Sequence, residues 1–228
     1  MPKTAKKRIV VIDDHPLIRF AYVQLISREA DMECVGQADG AASGIKLARE
    51  QKPDLAVLDL GLGDGDGFEV LNSLKKELPE MKFLVVSRHT DALIAERALQ
   101  AGAGGFLSKE ENPDTVVEAI RVVLSGRVYV GPILANQVHR RLVENKAEGR
   151  KGGLESLSTR ELQIFRMLGE GRNNKQIAGE LGVSSKTIDA HRENIKHKLG
   201  LPDSLALIKH AVSWMETEGL HAEPPSDS

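Results

Sequence analysis

The stretch Pro53-Asp-Leu-Ala-Val-Leu-Asp-Leu-Gly-Leu-Gly-Asp-Gly-Asp-Gly67 changes character in its middle. Pro53 and Asp54 punctuate, Leu55 to Leu58 is an unbroken apolar run, and Asp59 ends it. A short apolar run bounded by turn residues suits a strand buried on both faces. Alternating glycines follow from Gly61 to Gly67, and a helical period starts at Phe68 and runs to about Leu78. Asp66 with Glu69 three residues later is a helix N-terminus signature, which makes Asp66 a cap and Asp64 a loop residue. The unit is therefore strand, glycine loop, helix, with the Asp59 carboxylate left at the strand's carboxyl end.

The same unit repeats on both sides. Upstream, Ile9 to Ile12 and Glu33 to Ala38 read as strands, followed by helices over Pro16 to about Arg28 and Gly40 to Gln51. Downstream, Phe83 to Val86 is a strand with a helix from Asp91 to Ala101, closed by Gly102. Gly105 to Leu107 is the fifth strand, and Asn112-Pro113 opens a helix to about Leu124. Strands alternating with helices predict an α/β, doubly wound, five-stranded parallel sheet over residues 6–125. Ligands in such sheets sit at the carboxyl ends of the strands. The residues there are Asp13 and Asp14, Asp59, Ser87 and Lys109. Three gathered carboxylates need a positive partner, and a hard divalent cation such as Mg²⁺ suits oxygen ligands. A carboxylate can also be a nucleophile, with Lys109 as a point charge and the Ser87 hydroxyl as a donor to a phosphoryl oxygen. His15 reads as the entry residue of the first helix.

The pattern weakens over residues 126–153, which read as an interdomain linker, with Ile133 to Leu142 as a helical candidate. From Leu154 the strands stop, and a smaller all-α domain of four helices is expected over residues 154–216. Ser158-Thr-Arg-Glu161 is a capping box for a helix to about Glu170. A short helix, Lys175 to Leu181, ends at Gly182, and Ser184 caps a longer one to about Leu199. A fourth runs from about Ser204 to Glu216. Short helix, glycine turn, longer helix is a helix-turn-helix, whose second helix enters the major groove. On that helix Ile188, Ile195 and Leu199 form an apolar stripe, with Arg192 at its edge. Lys186, Thr187, Asp189, Ala190, His191, Glu193, Asn194, Lys196 and Lys198 lie elsewhere around it and are the candidate DNA contacts. Asp189 and Glu193 either accept from cytosine and reject wrong sites, or pair with Lys186 or His197 at helical spacing and read nothing. On the last helix Leu205, Leu207, Ile208, Val212 and Met215 serve core or dimer. Residues 217–228 read as a disordered tail.

Two resemblances bear on function. Ile12-Asp-Asp-His15, Leu58-Asp-Leu60, Val86-Ser87 and Phe106-Leu-Ser-Lys109, in that order, resemble the flavodoxin-like receiver domain of bacterial response regulators. The resemblance implies that Asp59 is the phosphoacceptor, and that Asp13, Asp14, Asp59 and the backbone carbonyl of Gly61 hold Mg²⁺. It makes Ser87 and Phe106 a switch pair, whose hydroxyl moves to the phosphoryl group as the ring turns inward. The chain departs from the pattern at Gly63, where many members have proline, and at Gly61, which puts no side chain beside the phosphate. His89 stands where it can affect access of water. Leu157 to Leu162, Asn174 to Ala178, Lys186-Thr-Ile188, His191, Asn194-Ile195 and Lys198-Leu-Gly200 resemble a LuxR-type DNA-binding domain. Together they are similar to the NarL/FixJ class, which implies a sensor histidine kinase as phosphodonor, double-stranded DNA as target and a homodimer when active.

Bulk properties agree. A net charge of −2 requires any basic surface to be local. The single cysteine, Cys34, excludes an intrachain disulfide. No apolar run spans a bilayer, and the basic start, Met1 to Arg8, lacks a signal-peptide core, so a cytoplasmic protein without membrane contact is expected. The reading is of a transcription regulator, not an enzyme. A Mg²⁺-dependent aspartyl phosphatase is the rival, but its acid pair would follow the nucleophile's own strand. A third possibility is a receiver used only for protein contacts.

Overall fold

A computed structural model describes residues 5–88, 92–132, 134–135 and 153–219. The chain divides into two compact units, Met1–Gly149 and Arg150–Ser228.

In the first unit the strands are β1 (Lys7–Ile12), β2 (Met32–Ala38), β3 (Leu55–Asp59), β4 (Lys82–Ser87), β5 (Gly105–Ser108) and β6 (Tyr129–Val130). The helices are α1 (Pro16–Ser27), α2 (Ala41–Gln51), α3 (Gly67–Glu77), α4 (Ala92–Gln100) and α5 (Thr115–Leu124). The sheet order is β2-β1-β3-β4-β5-β6, with every pairing parallel. This is the doubly wound arrangement, and its switch point lies between β1 and β3. The central strands are buried on both faces. Ile9, Val11, Val57, Leu84, Val86 and Leu107 pack with Tyr22 and Ile26 of α1 and with Val116, Ile120 and Val123 of α5. The intervening residues Val10, Ile12, Ala56, Leu58 and Val85 are equally closed to solvent.

Among the described residues the expected five strands are six. β6 lies in the segment read as linker, where Tyr129 and Val130 pair with Gly105 and Phe106. Two residues show no periodicity; their pairing is decided by the open edge of β5. The start of α5 also differs. The helix begins at Thr115, and Asn112 accepts from the Asp114 N–H in the turn before it, at 3.0 Å. Asp66 caps α3 as expected, its carboxylate accepting from the Phe68 N–H at 2.8 Å. The candidate helix Ile133 to Leu142 lies largely outside the described residues, as do His89 and most of the 217–228 tail.

The second unit is helical. It has a short 3-10 turn (Leu154–Ser156), then α6 (Thr159–Gly169), α7 (Asn174–Glu180), α8 (Ser185–Leu199) and α9 (Ser204–Gly219). Ser158 and Glu161 form the expected capping box on α6. α7 has a second one, Asn173 with Gln176, and starts one residue before the sequence reading. Gly182 and Gly200 take left-handed φ of 65° and 64°, which lets the chain turn sharply on either side of α8. Ile177, Ile188, Ile195, Phe165 and Leu207 fill the core, and the Phe165 ring lies edge-on to His210. The apolar set on the last helix splits: Leu207 is buried, whereas Leu205, Ile208 and Val212 are exposed.

Candidate functional site: an acidic pocket and a helix-turn-helix

The pocket is made at the carboxyl ends of β1, β3 and β5. Asp13 follows β1 directly and its N–H donates to Ala38, fixing it at the sheet margin (3.1 Å). Asp59 is the last residue of β3, and Lys109 follows β5, with its N–H on the Ser87 carbonyl at 2.8 Å. Lys109 Nζ reaches Asp59 Oδ2 at 2.6 Å and Asp13 Oδ2 at 2.8 Å. All three side chains are closed to solvent. Asp14 is partly open at the rim. The Gly61 N–H donates to Asp59 Oδ1 at 3.0 Å. Ser87, at the end of β4, and Phe106, within β5, are both buried.

These groups set opposite protonation tendencies. Burial pushes the Asp13 carboxyl up, and the Asp59 charge pushes it further, against the pull of Lys109. Burial also acts on Asp59, but the facing His15 ring and hydrogen bonds from Lys109 and the Gly61 N–H outweigh it and hold the carboxyl below its ordinary value. Asp59 is thus kept ionised, the state a nucleophile needs.

His15 is the residue that sequence reasoning missed. It does stand at the entry of α1, and Pro16 is the first residue of that helix. Its ring, however, turns into the pocket, with Nδ1 2.5 Å from Asp14, 3.3 Å from Asp13 and 3.7 Å from Asp59. The Asp59 carboxylate facing the ring raises its pKa, against the effect of burial. Its place directly after the two acids was the available signal, but the direction of the ring was not in the sequence. Arg19 was also missed; its guanidinium donates to the Asp13 carbonyl at 2.5 Å. Asp64 holds the loop, accepting from the Ala41 N–H at the start of α2 (2.7 Å).

The pocket suits a cation. Asp13, Asp14, His15 and Asp59 offer ligand atoms within 4.8 Å of one another. Asp14 Oδ1 is shut off from solvent and, although near His15, accepts no well-aligned hydrogen bond. Three carboxylates against one ammonium leave a formal excess that a divalent ion neutralises.

In the second unit, Lys186, Asp189, Ala190, Glu193, Asn194, His197 and Lys198 are exposed along α8, whereas Thr187, His191, Arg192 and Lys196 are half-buried. Neither acid makes the pair anticipated from spacing. Asp189 accepts from the Asn174 amide at the start of α7, and Glu193 lies 2.9 Å from Lys196. Lys198 is turned to the α6 capping box, 2.6 Å from Glu161. His197 completes the exposed stripe and was legible from its period. The roles of Asn174 and Glu161 on α8 were not, since their distances in sequence are long.

Comparison with known proteins follows the same division. The response regulator receiver domain matches residues 9–121, and the luxR family of bacterial regulatory proteins matches residues 155–211. A putative transcriptional regulator of Pseudomonas aeruginosa is 37% identical over 90% of this chain and 96% of its own length. The chain is a response regulator of the LuxR family. This response regulator is also 34% identical to the virulence factors putative positive transcription regulator BvgA of Bordetella pertussis, over 88% of the chain and 94% of the relative. Its fold matches RcsB from Salmonella enterica serovar Typhimurium, solved bound to promoter rprA with phosphomimetic BeF3-. The TM-score is 0.58 at 22% identity, covering 91% of this chain and 99% of that one. It is a transcription regulator of the response-regulator type, not an enzyme. The acid pair follows β1 while the lone Asp59 ends β3, unlike the layout of an aspartyl phosphatase. Among the described residues no helix is long and apolar enough to cross a membrane.

Proposed function

We propose that Asp59 accepts a phosphoryl group from a sensor histidine kinase in the cytoplasm, and that phosphorylation controls dimerisation and sequence-specific binding of double-stranded DNA through α8. The observation that carries this is the buried Asp59, held by Lys109 at 2.6 Å and by the Gly61 N–H at 3.0 Å. In the transfer, an Asp59 oxygen attacks phosphorus, the P–O bond forms, and the P–N bond to the donor histidine breaks, its electron pair staying with the imidazole. Lys109 and the Gly61 N–H stabilise charge on the reacting oxygens. Asp13, Asp14, Asp59 and the Gly61 carbonyl would hold Mg²⁺, which when bound supplies charge neutralisation at the phosphoryl oxygens.

Ser87 donates to the phosphoryl group once it is present, and the buried Phe106 ring follows it as the switch partner. On α8, Lys186, Asp189, Ala190, Glu193 and Asn194 face the groove, with Thr187, His191 and Lys196 at its flanks. Lys198 is turned to Glu161 and ties α8 to the cap of α6. Exposed Leu205, Ile208 and Val212 on α9 supply the apolar patch for a second copy. The test is labelling with a radioactive small acyl-phosphate donor. Asp59→Ala should lose the hydroxylamine-labile label, and a variant that keeps it refutes the assignment.

A further inference from the structure

We propose that Asp189 determines sequence preference by accepting a hydrogen bond from the N4 amino group of a cytosine, with its carboxylate aimed by Asn174. The inference rests on α8 being the helix that enters the major groove.

The exposed stripe of α8 runs Lys186, Asp189, Ala190, Glu193, Asn194 and His197, steps of three and four residues that make one face. The other basic side chains of the helix are engaged within the protein. Arg192 Nη1 donates to Asn174 Oδ1 at 2.6 Å. Lys196 Nζ lies 2.9 Å from Glu193, and Lys198 Nζ 2.6 Å from Glu161. The middle of the face therefore holds Asp189 and Glu193 on either side of Ala190, Glu193 paired with Lys196 and Asp189 in no ion pair among the described residues. Guanine offers two acceptors in the major groove and is read by Arg or Lys, so it does not suit this centre.

A carboxylate needs a donor. Cytosine presents its amino group as a donor, whereas adenine places an N7 acceptor next to its own amino group and repels a carboxylate. The Asn174 amide is braced at both ends. Its Nδ2 donates to Asp189 Oδ1 while its Oδ1 accepts from Arg192. That fixes Asp189 on the face and leaves Oδ2 to accept from a base. Where no donor is offered, the carboxylate is desolvated near phosphates without a partner, so the wrong sequence is rejected as well as the right one held.

The experiment is selection from a randomised duplex library by the full chain, treated with Mg²⁺ and a small-molecule phosphodonor. The wild type should enrich a half-site with one fixed C·G pair. In Asp189→Ala that position should lose its preference by about tenfold or more while the other positions stay enriched. Asp189→Asn should move the preference towards adenine, because an amide matches its donor and acceptor together. Asn174→Ala should blur the same position only. An unchanged consensus in Asp189→Ala overturns the assignment of Asp189 alone. A wild-type chain that enriches no sequence overturns the groove-helix reading and this proposal with it.

Discussion

One ammonium, that of Lys109, serves two buried carboxylates at the carboxyl margin of the sheet. The two acids then diverge: donors hold the Asp59 carboxyl below its ordinary value, whereas burial and the Asp59 charge raise that of Asp13. Neighbouring acids whose environments push their pKa values apart are suited to different roles. The second unit carries a different kind of carboxylate. Glu161 is buried, but hydrogen bonds from Lys198 and from the Ser158 N–H outweigh burial and hold its pKa below the ordinary 4.5. The stabilisation is present above that value and is lost as pH falls through the lower, folded-state value. Glu161→Gln should therefore destabilise the second unit by about 1–2 kcal/mol at pH 7, with the partner lysine's exposure limiting the effect. Urea unfolding at pH 7 and again near pH 3 checks this; the two proteins should converge at the lower pH.

At the scale of elements, the join between β3 and α3 positions the site. Gly67 begins α3 directly against the strand's end. A Cβ there would lie 2.4 Å from the Asp59 carbonyl and 2.6 Å from the Leu60 Cα. Both are backbone, so neither can rotate aside. Gly67→Ala should cost about 1–3 kcal/mol through overpacking and, on the proposed function, should slow Asp59 labelling, because the strand end carrying Asp59 must shift. Denaturant titration and the labelling rate measure the two effects. A loss of stability with an unchanged labelling rate would mean that the loop, not Asp59, absorbs the strain. The glycine at 63 has less consequence, since a Cβ there meets only Asp14, at 3.4 Å.

At the scale of the molecule, the acidic pocket belongs to the first unit and α8 to the second. A ligand that binds only the folded form stabilises the unit that holds it. Mg²⁺ should raise the unfolding midpoint of the receiver, adding about 1.4 kcal/mol of stability at ten times its dissociation constant. Calorimetry should show the helical unit's transition unmoved. Asp14→Ala should abolish the shift, and a shift that survives in this variant would place the ion elsewhere.

What the sequence determined by itself was local or periodic. The apolar run before Asp59 and its repeats specified a parallel sheet, because strands buried on both faces must be apolar throughout. The order of acids and lysine at the strand ends then named the pocket, and caps and glycines located the four helices. Only the tertiary structure decided the rest. β6 forms because β5 has an open edge, not because two residues prefer a strand. His15 joins the pocket because its ring turns inward at the head of α1. Asp189 took Asn174 and Lys198 took Glu161, partners far along the chain, while Glu193 paired with Lys196 three residues on rather than with His197. Side-chain pairing is a contest among neighbours, and a sequence lists only those nearby along the chain.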